Sequence, residues 1–397
     1  MSLFGSRTNY LRRRKDGEET KVEAVELFFD LVFVFAITQL SHYLLHHLSV
    51  AGLAQAALMF AGVWWVWVYT AWCTNWLDPQ RIAVRLLIFA LMLGGLVLAA
   101  SIPDAFAVRG FSFAAAYVFM QVARTLFMVW ALRNHNKANY RNFQRILVWL
   151  VVSGVFWLAG GLADDETTRF AFWLAALAIE YISPSLGFRV PGLGASTTAD
   201  WDVAGEHLAE RCGLFVIIAL GESVLVSGAT FADLAWTGET IAAFAAAFVS
   251  VVAMWWIYFN IGADYASRKI AESADPGRIA RIAYTYIPIV IVAGIIVVAV
   301  GSETMLAEPF GEEHPLSAML TIIGGAALYV LGNALFKAVV FGRWPLSHMA
   351  GLGLFVATFL IGMEAPALEL GVAVCAILVL VAGWEYFSLK SLRREGR

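Results

Sequence analysis

Apolar residues in this chain come in long runs separated by short polar stretches. Twelve runs stand out: 25–45, 51–75, 82–102, 110–132, 145–163, 168–188, 208–229, 239–260, 282–302, 316–340, 347–363 and 367–388. A membrane-spanning helix needs about 20 mostly apolar residues. In lipid the backbone must satisfy its own hydrogen bonds, so each run is read as a helix. The pattern predicts an all-α, polytopic integral membrane protein of about 12 transmembrane helices.

Polar residues inside the runs are the next signal. The first run reads VELFFDLVFVFAITQLSH (25–42) and carries Glu26, Asp30, Thr38, Gln39, Ser41 and His42. Glu26 and Asp30 are four apart and share one helix face. Thr38 and Ser41 fall within about 80° of Asp30 at 3.6 residues per turn. The helix therefore has a polar stripe facing protein or water. The acidic pair at its N-terminal edge also suits the helix dipole.

A second group, His207, Glu210, Arg211 and Glu222, marks the seventh run. Arg211 and Glu222 lie on nearly one face but about 16 Å apart along the axis, so each needs another partner. Arg124, in the middle of the fourth run, is a candidate partner for Glu222, with Glu180 of the sixth run as the rival. Ionisable groups at mid-bilayer cost at least about 2.5 kcal/mol and usually mark pathways or ion pairs. Asn260, Asp264 and Glu385 are read as solvated or interfacial helix ends. His42 and His46 have metal-like spacing, but no acidic third ligand follows, so they are read as interface histidines.

The basic residues set an orientation. Of 27 Lys and Arg, 24 fall in alternate loops and at the termini, beginning with Arg12–Lys15. The opposite loops hold only Arg109 and Arg169 and are otherwise acidic, as at Asp164, Asp165 and Glu166. The positive-inside rule then places both termini in the cytoplasm. The basic N-terminal segment is not read as a cleaved signal peptide, because acidic residues separate it from the first run and no small-residue cleavage site follows.

Composition agrees. The chain has 397 residues, 60% hydrophobic and 14% charged, with a net charge of −3 and a mean hydropathy of +0.74. Soluble domains are about 25% charged. No basic excess points to nucleic acid. The 15 Trp and 28 Phe fit bilayer interfaces. Cys73, Cys212 and Cys375 are isolated in apolar runs, which reads as core packing rather than a disulfide or zinc site.

The two halves echo each other. AERCGLFVIIALGESVL (209–225) follows the pattern of the first run, with Glu210 over Glu26. Double tryptophans open WWVWVYTAW at Trp64 and WWIYFNIGA at Trp255, followed by QRIA (80–83) and GRIA (277–280). The expected organisation is a basic cytoplasmic segment (1–24), a first six-helix repeat (25–188), a cytoplasmic linker (189–207), a second repeat (208–388) and a basic tail (389–397). Six helices is an even number, so the repeats would share one orientation. Within the linker, STTAD (196–200) could cap a short helix.

The stretches VELFFDLVFVFAITQLSH and HLAERCGLFVIIALGES resemble the bacterial low-temperature-requirement A family. The resemblance covers nearly the whole chain and implies a multi-pass protein of the bacterial inner membrane. The family name records a growth phenotype and implies no substrate. FFDLVFVFAITQL also resembles the first-helix signature of a potassium-permeable channel family with six-helix repeats, although Phe29 stands where that signature has serine.

These readings lead to a transporter or channel-like permease for a small ion or solute. Glu26, Asp30, Glu210 and Glu222 would be its acidic groups, with Thr38 and Gln39 lining the path. Arg211, Arg124 and Glu180 would be counter-charges. The expected partners are the bilayer and the transported species. No cofactor, metal or nucleic acid is expected, and a homo-oligomer is left open. The alternatives are a membrane enzyme or lipid-handling protein with a site near His207, Glu210 and Arg211, and a non-transporting stress or assembly factor. No phosphate-binding loop, nucleophile elbow or HExxH motif appears.

Overall fold

The computed structural model describes residues 9–12, 21–135, 137–196, 204–260, 266, 276–310 and 316–388. Part of the basic N-terminal segment, STTAD beyond Ser196, Asp264 and the basic tail lie outside the described residues. The helices are α1 (Ala24–His46), α2 (Val50–Trp76), α3 (Ile82–Ser101), α4 (Gly110–Leu132), α5 (Lys137–Gly161), α6 (Glu166–Ile182) and α7 (Gly205–Asp233). They continue with α8 (Gly238–Phe259), α9 (Arg278–Ala307), α10 (Leu316–Phe341), α11 (Leu346–Ile361) and α12 (Ala367–Ser388). Among the described residues there is no strand, only two isolated β-bridges, Leu11 with Leu77 and Val190 with Gly194.

Ten of these helices are long and apolar enough to cross a membrane. The other two, α6 and α11, have 17 and 16 residues. Two boundaries differ from the hydropathy reading. Helix α5 starts at Lys137, because the polar turn KANYRNFQ is helical although not apolar. Helix α6 stops at Ile182, where Ser183, Pro184 and the left-handed Gly187 and Phe188 turn the chain. Helix α9 passes through a π-helical stretch, Ile282–Tyr286.

The chain divides into two compact units, Met1–Tyr43 with Ala51–Arg211, and Leu44–Val50 with Cys212–Arg397. The first unit has an aromatic core. Trp64, Trp65, Trp67, Trp157 and Trp173 are almost wholly buried. This corrects the expectation that the tryptophans belong at bilayer interfaces, since these five pack inside a bundle. Trp65 stacks on Tyr181 at 3.9 Å, and Trp157 lies 4.2 Å from Tyr117 and 5.5 Å from Trp173. Trp255 and Trp256 of the second motif are instead 45% and 41% exposed.

Arg169, read from sequence as a loop charge, is buried. Its guanidinium donates to the carbonyls of Ala105, Ala107, Gly160 and Ala163, tying the end of α5 to the turn before α4.

The second unit is built around a close crossing of α9 and α10. Helical glycines face backbone on both sides: a Cβ on Gly294 would stand 2.5 Å from Tyr329 N, and one on Gly325 2.6 Å from Val298 N. Gly301 and Gly332 meet Ile322 and Ile291 in the same way. In lipid no hydrophobic drive holds helices together, and small residues that let backbones approach supply packing instead.

Candidate functional site

Glu26 and Asp30 stand one helical turn apart on α1, and both are fully buried. Burial of two carboxylates is tolerable only with compensating charge. Arg211, on α7, supplies it: Nη1 donates to Glu26 Oε1 at 3.0 Å and Nη2 to Asp30 Oδ1 at 2.6 Å. Trp67 of α2 adds a hydrogen bond from Nε1 to Asp30 Oδ1 at 2.8 Å. The Trp67 ring also lies 5.8 Å from the Arg211 guanidinium.

A second arginine arrives from outside the helices. Arg12 Nη2 donates to Glu26 Oε2 at 2.7 Å. Its Nε donates to the carbonyls of Thr74 and Leu77 at 2.8 and 3.0 Å, and its Nη1 to Lys21 O at 3.2 Å. The short bridge around Leu11 and Leu77 holds it there, with Arg12 N donating to Trp76 O and Asp78 N to Tyr10 O. The last carbonyls of a helix lack intrahelical partners. The segment Tyr10–Arg12 therefore caps the C-terminus of α2.

His207 completes the cluster. Its Nε2 is 3.0 Å from Glu26 Oε1, and its Nδ1 is 3.3 Å from Asn75 Nδ2. Asn75 Nδ2 also donates to Ala204 O, and Asn75 Oδ1 accepts from Ala204 N. An amide donor facing Nδ1 fixes a neutral imidazole with its proton on Nε2, donated to Glu26. The charges then balance: Glu26 and Asp30 against Arg12 and Arg211.

The structure thus brings together Glu26, Asp30 and Arg211 from the sequence reading. Glu210, which the internal alignment sets over the buried Glu26, is exposed and accepts from Val22 N at 3.2 Å. Thr38 donates within α1 to Val34 O and is half-buried, as is Gln39. Glu222 is buried further along α7, in the second unit.

Arg124 and Glu180 occupy a separate network in the first unit. Arg124 donates to Val66 O, Thr70 Oγ1 and Gln121 Oε1, with the Tyr69 ring 5.3 Å away. Glu180 accepts four hydrogen bonds, from Tyr117, Gln121, Ser153 and Trp157.

A third charged cluster lies in the second unit. Lys337 Nζ is 2.5 Å from Glu385 Oε1, 2.9 Å from His348 Nε2 and 3.3 Å from Ile257 O, with all three side chains buried. This corrects the reading of Glu385 as interfacial, and Lys337, one of the 24 basic residues that the sequence assigns to the alternate loops and helix ends, is buried with it. His42 is exposed at the end of α1. Among the described residues, no group of three or more His, Cys, Asp or Glu side chains is placed to hold a metal ion.

Sequence reasoning missed Arg12, Thr74, Asn75 and Trp67 as members of the first cluster. Asn75 was visible as an amide at the end of an apolar run. Arg12 carried no signal beyond its place in a basic string.

The uncharacterized protein RA0937 of Rhizobium meliloti (strain 1021) is 40% identical over 395 residues, spanning 99% of this chain and 96% of its own length. No solved structure matches the chain. Residues 21–383 match the family described as bacterial low temperature requirement A protein (LtrA), and the chain belongs to that family.

Proposed function

We propose that this protein is a permease for a small ion or solute. In this reading it crosses the bacterial inner membrane twelve times, with both termini in the cytoplasm and with α1–α6 and α7–α12 as two repeats of one orientation. The basic loops support that orientation. Helices α6 and α11, at 17 and 16 residues, fit a bilayer that thins locally, since spanning helices run from about 17 residues upward.

The observation that carries the proposal is the state of Asp30. Its Oδ1 is held by Arg211 and Trp67, while its Oδ2 is buried without a hydrogen-bond partner. Leaving a buried acceptor on a charged group unsatisfied is expensive. A carboxylate kept in that condition beside a counter-charge is poised to take a proton or a cation. Asp30 and Glu222 are the proposed ion-binding carboxylates, Arg211 is the counter-charge to Asp30, and Thr38 and Gln39 line the path. Glu210 is the outlying acidic group. Arg124 and Glu180 act as helix ties, because all four hydrogen bonds on Glu180 come from α4 and α5.

The test is reconstitution into liposomes with an internal dye, imposing proton, sodium and potassium gradients in turn. A cation-dependent signal that Asp30→Asn and Glu222→Gln abolish supports the reading. Unchanged flux in folded Asp30→Asn protein overturns the assignment of Asp30.

A further inference from the structure

Four oxygen acceptors hold Arg12, and His207 Nε2 lies 3.4 Å from its Nη2. Around its guanidinium are Glu26 Oε2 and the carbonyls of Thr74, Leu77 and Lys21. Two of those carbonyls come from the C-terminal end of α2, where the helix dipole is negative. The other oxygen of Glu26 is already engaged by Arg211 and His207. Charge makes the same demand. Without Arg12 the cluster holds two carboxylates against one guanidinium, with His207 neutral. The position calls for one further cation that is planar and carries several donors, because Nε and Nη2 reach the carbonyls and the carboxylate together. Arg12 retains 11% side-chain exposure while Glu26 has none, so the occupant enters from the rim of the cluster.

We infer that Glu26 Oε2 with the Thr74 and Leu77 carbonyls forms a binding cradle for a small organic cation of the guanidinium class, and that Arg12 is its tethered occupant. The cradle fills itself. A soluble cation of this class binds only when Tyr10–Arg12 leaves the end of α2, so the N-terminal segment acts as a competitor built into the chain. This deepens the permease reading by naming a class of ion, and it rests on that reading only for the transport arm of the test.

The binding arm needs no transport. Purified full-length Arg12→Ala protein in detergent is melted with increasing guanidinium chloride at low millimolar concentration, with equimolar sodium chloride and urea as controls. The expected result is a Tm several degrees below wild type. Guanidinium alone should recover at least half of the loss, in a saturable way, and recovery should vanish in the Glu26→Gln/Arg12→Ala double variant. If Arg12→Ala does not fold, Arg12→Lys replaces it; its ammonium keeps the charge but cannot match the planar fork, and guanidinium should still raise its Tm above the controls. Recovery absent, or equal to that with sodium chloride or urea, overturns the cradle whatever the flux. In the transport arm, Arg12→Ala liposomes should take up guanidinium severalfold faster than wild type. Rescue with no uptake by either protein upholds the cradle and counts against the permease.

Discussion

Arg124 and Glu180 are joined through one amide. Gln121 accepts from Arg124 on its oxygen and donates from its nitrogen to Glu180 Oε2 at 3.0 Å. The amide offers an acceptor oxygen to the guanidinium on one side and a donor nitrogen to the carboxylate on the other. Gln121→Met keeps the length and removes both functions. A hydrogen bond to a charged group is worth about 1.5–3 kcal/mol, and here one is lost on each side of the amide. Thermal or denaturant unfolding in detergent should show a loss in at least that range. A change under about 0.5 kcal/mol, the level of an ordinary surface substitution, would mean the bridge does not hold these helices.

Arg211 serves two carboxylates, whereas Asp30 serves one arginine. Arg211→Gln therefore strands more buried charge than Asp30→Asn. Breaking a buried pair from one side costs about 3–5 kcal/mol. Asp30→Asn should sit at the low end, because the asparagine oxygen can still accept from Trp67. The double variant should lose less than the sum of the singles, since neither lone charge remains at position 30 or 211. A double-mutant cycle reads this directly, and simple additivity would show that the pair is not energetically coupled.

What was legible in the sequence follows from the cost of burying charge. Glu26, Asp30 and Arg211 stood out because apolar runs exclude such residues, and α1 and α7 emerged as helices for the same reason. Partners were not legible. Periodicity gives the face of a residue on its own helix, but not which helix that face meets. Arg124 was therefore matched to carboxylates, whereas its donors go to Val66, Thr70 and Gln121. Helix ends misled in the other direction. Lys337, Glu385 and Arg169 lie near the ends of their apolar runs and read as loop or interfacial charges, yet all three are buried.

Neighbouring glycines on α10 give a control within one turn. A methyl at Gly324 meets nothing within 4 Å, while at Gly325 it would stand 2.6 Å from the backbone of α9. Gly324→Ala should be neutral or stabilising, by up to about 1 kcal/mol from helix propensity. Gly325→Ala must push the helices apart, at the cost of about 1–3 kcal/mol typical of overpacking. Equal melting temperatures for the two variants would contradict the close crossing.

Asp165 caps α6, accepting from Thr168 N at 2.8 Å. The hydrogen bonds from Thr168 hold its exposed carboxyl below its ordinary value. A depressed folded value means the cap contributes fully above the unfolded pKa of about 3.9 and is lost as pH falls through the folded one. Hydrogen exchange at the Thr168 amide, expressed as a protection factor, should therefore stay flat from neutral pH down to the unfolded value and then fall. Asp165→Ala should show low protection at every pH. A wild-type protection factor that begins to fall well above about pH 4 would contradict the sign.

Lys337 and Glu385 test whether a buried ion pair stabilises this protein or only balances itself. Lys337 spends its three protons on Glu385, His348 and the carbonyl of Ile257, near the end of α8. Glu385 Oε2 has no partner, so the pair is charge-balanced but not fully hydrogen-bonded. Lys337→Met alone leaves Glu385 as an uncompensated buried charge, with a cost of about 3–5 kcal/mol. Lys337→Met/Glu385→Leu removes both charges and fills similar volume, and exchanges of this kind are often neutral or stabilising. The double variant should therefore melt above the single one and close to wild type, leaving His348 bonded to Ser347 alone. A double variant as unstable as Lys337→Met would show that the loss comes from the Ile257 and His348 contacts rather than from stranded charge, and would make Lys337 a cap of α8 first and an ion-pair partner second.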